Sequence, residues 1–319
     1  MKDRPSRKGW AVFLYRRAVG VASRSEMGGV TSLMMIRLFL FLFAFFFAFV
    51  PLRAEEASEF SIEQMKGDLY RFTAGHYRSV FLVTEEGILL TDPISEEAAT
   101  WLKGELGKRF DVPIRYVVYS HNHIDHVYGG NVFADEGVVF ISHRLARENL
   151  VRTKANTKIP DLVFDEEMNI FLGGQEVRLT YHGTNNGRGS VSMKFDPLNV
   201  LFVVDWIVLD RMPYKDLKGY DIQGMIDSTR EVLEMNFDLL IGGHAAEGTK
   251  DDVERYLTYL EALYDAVLQG MLDGKSLDEL KKEIRLDDFS DLKNYEQWLP
   301  SNIEGVYRTL NDQSYIDMR

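Results

Sequence analysis

Short apolar runs separated by turn residues dominate the first part of the folded region and predict strands. Residues 79–84 and 88–91 flank a Glu-Glu-Gly turn, which is the pattern of an antiparallel hairpin. Ser95 is a suitable N-cap, because two glutamates follow it at the start of a helix expected to run to about Lys108. The apolar run at residues 114–119 predicts the next strand.

The chain continues in the same alternating manner to about residue 244. A helix is expected from His143 to Val151. The expected strands lie at residues 138–141, 177–181, 190–195, 200–204 and 239–241. This order of strands and helices indicates an α/β sandwich, and 319 residues are ample for one sizeable core.

Beyond residue 248 the pattern changes to one of helices. After Thr249, apolar residues recur every three or four positions, which predicts a helix with one buried stripe. A capping box at Ser276 starts a short second helix, and residues 303–310 suggest a third. We therefore predict an α/β domain at residues 55–248 and a helical C-terminal extension at 249–319.

The N-terminal segment, residues 1–54, reads as a targeting sequence preceded by a basic stretch. Residues 38–50 are thirteen apolar residues, seven of them phenylalanine. A helix of this length spans about 20 Å, which is short of the ~30 Å hydrocarbon core. The segment therefore favours a signal peptide cleaved after Ala54 and export to the periplasm. An uncleaved membrane anchor is the alternative, because residues 33–36 could lengthen the apolar run. Alternative start positions are Met27, Met34 and Met35.

Charge and cysteine content narrow the function classes. Residues 1–54 hold 9 of the 37 Lys and Arg and 2 of the 49 Asp and Glu, so the remainder has 28 basic and 47 acidic residues, a net charge of −19. Such a domain is not expected to bind nucleic acid, and a small-molecule substrate is the expected partner. The absence of cysteine excludes disulfides and a lipid anchor, and it limits any metal site to N and O ligands. The oligomeric state stays open.

One short stretch concentrates candidate chemistry. Residues 120–126 read S-H-N-H-I-D-H and hold three of the seven histidines, directly after a predicted strand. Imidazole is the commonest metal ligand, and zinc accepts histidine together with carboxylate. His121 and His123 are two positions apart and point the same way from an extended chain. Asp125 and His126 leave in another direction, so the loop can serve two adjacent metal positions.

The H-x-H-x-D-H pattern resembles the signature of the metallo-β-lactamase superfamily, and the resemblance extends from about residue 72 to 244. It implies an αββα sandwich and a site for one or two zinc ions. By this resemblance His121 and His123 serve the first metal, Asp125, His126 and His244 serve the second, and Asp205 bridges the two. An aspartate at the bridging position is similar to the glyoxalase II and general hydrolase branches.

The chain departs from that family at the third histidine of the first metal. The family has a G-x-x-H-T-x-G-like loop, whereas residues 182–190 read H-G-T-N-N-G-R-G-S, which puts Asn186 at the ligand position. Zinc rarely takes an amide oxygen, so the first site is expected to be weak and the second is favoured. Three alternatives follow: His182 replaces the missing ligand, the second metal acts alone while Asn186 holds water or substrate, or catalysis has been lost.

The function implied is metal-dependent hydrolysis of an acyl bond in an ester, thioester, lactone or lactam, with Asp125 orienting the attacking water. A non-catalytic exported binding or accessory protein with at most one metal is the alternative. Iron also suits these ligands, so a mononuclear iron enzyme that oxidises persulfides stays open.

We expect His76 and His143 to have structural roles. Residues 206–220 are predicted either to form a pocket wall or to pack as an ordinary aromatic loop.

Overall fold

A computed structural model describes residues 59–314 and 316, and two β-sheets form its centre. The first sheet has seven strands in sequence order, antiparallel from β1 to β4 and parallel from β4 to β7. Its strands are β1 (Phe60–Lys66), β2 (Leu69–Ala74), β3 (Tyr77–Thr84), β4 (Gly87–Thr91), β5 (Ile114–Val118), β6 (Val139–His143) and β7 (Leu162–Phe164). The predicted hairpin is β3 and β4.

The second sheet has five strands in the order β12-β11-β10-β9-β8. All its neighbours are antiparallel except β11 and β12, which are parallel. Its strands are β8 (Glu167–Leu172), β9 (Gln175–Tyr181), β10 (Val191–Asp196), β11 (Val200–Val203) and β12 (Leu239–Gly242). All four residues of β11 are buried, because the strand is covered on both faces.

Seven α-helices occur in the described residues, and their caps follow the sequence signals. They are α1 (Glu96–Arg109), α2 (Ile124–Val127), α3 (Arg144–Thr153), α4 (Ile222–Glu234), α5 (Lys250–Leu272), α6 (Leu277–Glu283) and α7 (Tyr295–Ser314). Short 3₁₀ helices cover Tyr128–Phe133 and Asp287–Phe289. The Ser95 side chain caps α1 by accepting a hydrogen bond from the Ala98 amide, and capping boxes start α5 at Thr249 and α6 at Ser276.

Three apolar clusters separate the layers of the fold. One lies between the sheets and joins Val80 and Leu82 to Val177 and Met193. The second packs the first sheet against α1 and α3, and the third packs the second sheet against α4 to α7. The predicted αββα sandwich with a helical C-terminal region is therefore confirmed. The domain boundary after residue 248 stays a prediction, and α5 shares its apolar cluster with β11 and β12.

The N-terminal predictions fall on residues that the structure does not describe. The signal segment at 38–50 and the cleavage position after Ala54 both lie outside the described residues. Among residues 59–314 and 316, no helix is both long enough and apolar enough to cross a membrane.

Four strands are followed, within three positions of their carboxyl ends, by polar residues. Asp92 follows β4, His121 follows β5, Asp205 follows β11 and His244 follows β12. The parallel pairs β4/β5 and β11/β12 each place two of these ends side by side. The two sheets thus bring the four side chains to one edge of the sandwich.

Candidate metal centre

Asp205 lies at the centre of the predicted ligands. Its Oδ2 is 3.1 Å from Nε2 of His121 and 3.3 Å from Nδ1 of His123. Its Oδ1 is 2.9 Å from Nε2 of His244 and 3.5 Å from Nε2 of His126. The residue adopts a left-handed backbone, with φ of 72°. A non-glycine residue in this conformation is strained, and such strain occurs preferentially at functional sites.

The ligand atoms form two groups, each with all atoms within 4.8 Å of one another. One is Asp125, His126 and His244, which is the set that the resemblance implies for the second metal. The other is His121, His126 and Asp205, so it contains His126 rather than His123. The side chain of His123 is 37% exposed, whereas that of Asp205 is buried. All six predicted ligands are therefore brought together, and their individual roles stay predictions.

A buried aspartate supports the histidines from behind. Asp92 accepts hydrogen bonds from the Ser120 amide at 2.7 Å and from the Ser120 hydroxyl at 2.6 Å. The Ser120 hydroxyl also lies 2.9 Å from Nδ1 of His121, which leaves Nε2 of that ring facing Asp205. Nδ1 of His126 is 3.5 Å from Asp92. Such contacts on the far nitrogen fix the ring orientation of metal-binding histidines.

Burial and charge act in opposite directions on these groups. Burial lowers the pKa of His121 below its ordinary value, although the Asp205 carboxylate opposes this. Burial also opposes charge on His126, but the carboxylates of Asp205 and Asp92 prevail and raise its pKa well above the ordinary value. Burial would raise the pKa of Asp205, but the neighbouring His126 and His121 hold it well below its usual range. Because a metal needs neutral imidazole, binding here must displace a proton.

The polar atoms of the centre fit a metal. Nε2 of His126 and Nε2 of His244 face each other at 2.9 Å, and both also face Asp205. Nε2 of His121 and Oδ1 of Asn186 are buried without a hydrogen-bond partner among the described residues. Convergent imidazole nitrogens and carboxylate oxygens are the donor set that zinc or iron takes.

Asn186 lies beside Asp205 in the candidate metal centre. Its side chain is fully buried, and its Nδ2 donates a hydrogen bond to Oδ2 of Asp205 at 2.8 Å. The next residue, Gly187, has φ of 66°, and a Cβ there would lie 3.0 Å from Cδ2 of His121 and 3.2 Å from Nε2 of His123. A side chain at this positive φ would be strained and would crowd the histidines, so glycine suits the close approach of the loop.

His182 is engaged away from the centre. Its Nδ1 lies 2.9 Å from Oε2 of Glu231, and its Nε2 lies 2.8 Å from the hydroxyl of Ser192. Burial lowers the pKa of His182, although Glu231 opposes this. With both ring nitrogens occupied, His182 does not take the place of the missing ligand in this structure.

The remaining two histidines differ from each other. His143 is the N-cap of α3, where its Nδ1 accepts from the Leu145 amide and its Nε2 lies 2.7 Å from the carbonyl oxygen of Asp165. This is the structural role expected of it. His76 is exposed, and it lines the cavity above the metal centre.

The centre opens into a cavity of about 680 Å³. Its lining residues are His76, Tyr77, His123, Asp125, Asp205, Arg211, Tyr214, Lys218, Tyr220, His244, Asn294 and Trp298. Both alternatives for residues 206–220 therefore hold in part. Trp206 is fully buried in the core, whereas four later residues of the loop form a cavity wall.

Comparison with known families agrees with this geometry. The family model of the metallo-beta-lactamase superfamily matches residues 74–244, more than half of the chain. The chain belongs to the metallo-beta-lactamase superfamily. Within this superfamily of hydrolases and related enzymes, a curated relative is the 2,4-dinitroanisole O-demethylase subunit alpha of Nocardioides sp. (strain JS1661). The two are 24% identical over 237 residues, which cover 73% of this chain and 69% of the relative.

Solved structures share the fold. A metallo-beta-lactamase from Pontibacter korlensis matches with a TM-score of 0.57 and 15% identity, over 63% of this chain and 99% of its own. The sec-alkyl sulfatase PisA1, solved as a double mutant, matches with a TM-score of 0.65 and 19% identity, over 82% of this chain. The match spans 52% of the sulfatase, so about half of that protein has a counterpart here.

Sequence reasoning missed two parts of the site. Asp92 was not among the predicted site residues, although it lies against both Ser120 and His126. The signal was present, because Asp92 follows an apolar strand as Asp205 and His244 do. Trp298 comes from α7 and gave no such signal.

Proposed function

We propose that this member of the superfamily is a metal-dependent hydrolase of a small-molecule substrate. The observation that carries the proposal is the position of Asp125, His244 and Asp205 on the floor of an open cavity. The Asp125 side chain is 41% exposed, so it can reach both the metal group and a substrate. A structural metal site would instead be closed to solvent.

The donor set favours one ion held by Asp125, His126 and His244, with Oδ1 of Asp205 beside them. Zinc is the metal that we propose, and iron is compatible with the same ligands. When bound, such an ion would supply Lewis acidity, lowering the pKa of water and polarising the scissile bond.

The residues of the chain then position the reactants. Asp125 orients the attacking water and accepts its proton, because its carboxylate is the partly exposed one in the group. Asn186 holds Asp205 in place by its 2.8 Å hydrogen bond. Asp92 and Ser120 hold the imidazole of His121 from the opposite side. Cleavage adds water across the bond; an ester or thioester gives two products, and a lactone or lactam gives one ring-opened product.

The bond that we propose is the acyl bond of an ester, thioester, lactone or lactam. The O-demethylase relative and the sulfatase neighbour carry names that refer to other bonds, an ether and a sulfate ester. An aryl ether and a sulfate ester are therefore included in the substrate panel below. Hydrolysis of each of these bonds adds one water and needs no oxidant or reductant.

A second candidate is a non-catalytic binding protein with at most one metal. Asn186 favours it, because its amide donates to the carboxylate oxygen beside His121 and His123. In a two-metal hydrolase that oxygen would bind the first ion. The two candidates differ in turnover and agree in metal content.

The test combines metal content with turnover on one set of samples. Purified chain beginning at residue 55 is analysed for zinc and iron beside Asp125→Ala, Asn186→His and the exposed control Asp265→Ala. Each sample is assayed with 4-nitrophenyl acetate, a thioester, a chromogenic lactam, an aryl methyl ether and an aryl sulfate.

We expect about one ion per chain with turnover of at least one substrate, and loss of turnover in Asp125→Ala but not in the control. Metal without turnover across the panel would favour the binding protein. No metal in any sample except Asn186→His would show that the natural chain is not a metalloenzyme.

A further inference from the structure

The cavity that the metal ligands line is also lined by two cationic side chains. Arg211 is half-buried, its Nε is buried without a hydrogen-bond partner, and it forms no ion pair with the described residues. Its guanidinium lies 5.6 Å from the centre of the Trp298 ring. Lys218 lines the same wall and is exposed. A partly desolvated arginine without a carboxylate is costly unless an anionic ligand completes it.

A second lobe of the cavity has the opposite character. It has a volume of about 640 Å³ and shares His76, Tyr77 and Asp125 with the first lobe. Ile124 and Tyr128 line it and are 53% and 38% exposed. Such large apolar side chains beside a metal centre are suited to contact an apolar ligand. The other lining residues are Glu59, Phe60, Ala74, Gly75, Ile94, Ser95 and Glu97.

The two lobes meet at Asp125, which faces the metal group. An anion is disfavoured in the second lobe, because its charged lining residues are carboxylates. It is favoured in the first lobe, because a guanidinium binds carboxylate, sulfate or phosphate oxygens in pairs. The net charge of −19 after residue 54 repels anions in general. Arg211 and Lys218 place positive charge at this one cavity and so attract an anion locally.

We propose that the substrate is an amphiphilic organic anion. Arg211 and Lys218 bind its anionic group, and the lobe of Ile124 and Tyr128 accepts its aryl or alkyl part. The scissile bond between the two parts then lies over Asp125. This proposal rests on the proposed hydrolase function for its last step, whereas its binding part stands independently.

The test compares three ligands of one shape and different charge: 4-phenylbutyrate, 4-phenylbutan-1-ol and 4-phenylbutylammonium. Dissociation constants are measured by titration calorimetry with the protein as purified, and again after zinc reloading. The variants are Arg211→Gln, Arg211→Lys and Lys218→Gln. The matched control is Arg230→Gln, which removes the same charge from the exposed face of α4.

The wild type should bind the carboxylate most tightly in both metal states. Arg211→Gln should weaken the carboxylate about 10- to 100-fold and the alcohol less than about twofold. Arg211→Lys should retain part of the preference for the carboxylate over the alcohol. Lys218→Gln should reduce that preference several-fold, and the reduction should be smaller at high salt. The control should match the wild type. If Arg211→Gln does not fold, the exposed variant Lys218→Glu should still reverse part of the preference.

Equal binding of the three ligands, or an equal loss for all three in Arg211→Gln, would overturn this proposal. Turnover of neutral esters without any charge preference would overturn it while the hydrolase function stands. An anion preference that depends on Arg211, without turnover of any substrate, would support the binding site and remove only the proposed reaction.

Discussion

Asn302 fastens the cavity loop, residues 206–220, to helix α7. Its side chain is fully buried, and its Nδ2 donates to the carbonyl oxygens of Pro213 at 3.1 Å and Lys215 at 2.5 Å. Its Oδ1 accepts a hydrogen bond of 2.7 Å from the Tyr259 hydroxyl on α5. One amide thus ties two helices to the loop, and we predict that Asn302→Leu loosens this wall of the cavity.

The magnitude follows from the three hydrogen bonds lost. Each contributes about 0.5–1.5 kcal/mol net, so we expect Asn302→Leu to lower the free energy of unfolding by about 3 kcal/mol. Leucine has the same branching as asparagine and is larger, so the substitution leaves no cavity. Tyr259→Phe removes only one of the three bonds and should cost about 1 kcal/mol. In the double variant the two effects should overlap by about 1 kcal/mol, because they share that bond.

The assay is urea unfolding followed by far-UV circular dichroism, with all samples at the same metal content. The functional readout is the dissociation constant of 4-phenylbutyrate at a temperature where Asn302→Leu is folded. Binding should weaken in Asn302→Leu, because Arg211 and Lys218 lie on the loosened loop. Stability within about 0.5 kcal/mol of the wild type would refute the assignment of Asn302 as the main attachment.

Three further predictions concern single contacts. Ser120→Ala removes both hydrogen bonds of a hydroxyl behind His121. It should lower the affinity of an ion on the His121 side of Asp205 about 10- to 100-fold in a metal titration, and an unchanged affinity on that side would contradict the supporting role. Gly187→Ala should lower the free energy of unfolding by about 1–2 kcal/mol, seen as a lower melting temperature, because φ at this position is 66°. Gly104→Ala, in open space on α1, should not destabilise the protein. Burial lowers the pKa of His182 in the folded chain. As the pH is lowered through the ordinary pKa of 6.5, the unfolded chain therefore binds a proton that the folded chain does not, and the free energy of unfolding decreases. In His182→Gln the urea midpoint of unfolding should therefore depend less on pH in this range. A dependence as steep as that of the wild type would contradict this prediction.

The metal loop and the strand-end ligands could be predicted because their signals are local. Three histidines within six residues after an apolar run are hard to explain without a metal site, and Asp205 and His244 each lie two positions beyond an apolar strand. The N-caps at Ser95, Thr249 and Ser276 are likewise read from neighbouring residues.

The cavity wall could not be predicted from the sequence, because it depends on contacts between residues that are far apart in the chain. Asn302 meets Lys215 across 87 positions, and Trp298 reaches the cavity only because α7 packs on the loop. The first strand, Phe60–Lys66, was not predicted, since it is an edge strand without a clean alternation of burial. Helix α4 was also missed, although Asp221 caps it by accepting from the Gly224 amide.

The two oxygens of Asp205 divide the centre into unequal halves. Oδ1 faces Nε2 of His126 and of His244, while Oδ2 faces His121 and accepts the amide hydrogen of Asn186. An ion on the Oδ1 side leaves that hydrogen bond intact. An ion on the Oδ2 side competes with the N–H donor of Asn186 for the same oxygen. That side also lacks the nitrogen lone pair that a histidine in place of Asn186 would supply as a ligand. We therefore expect the Oδ1 side to fill first and a second ion to bind only at much higher metal concentration.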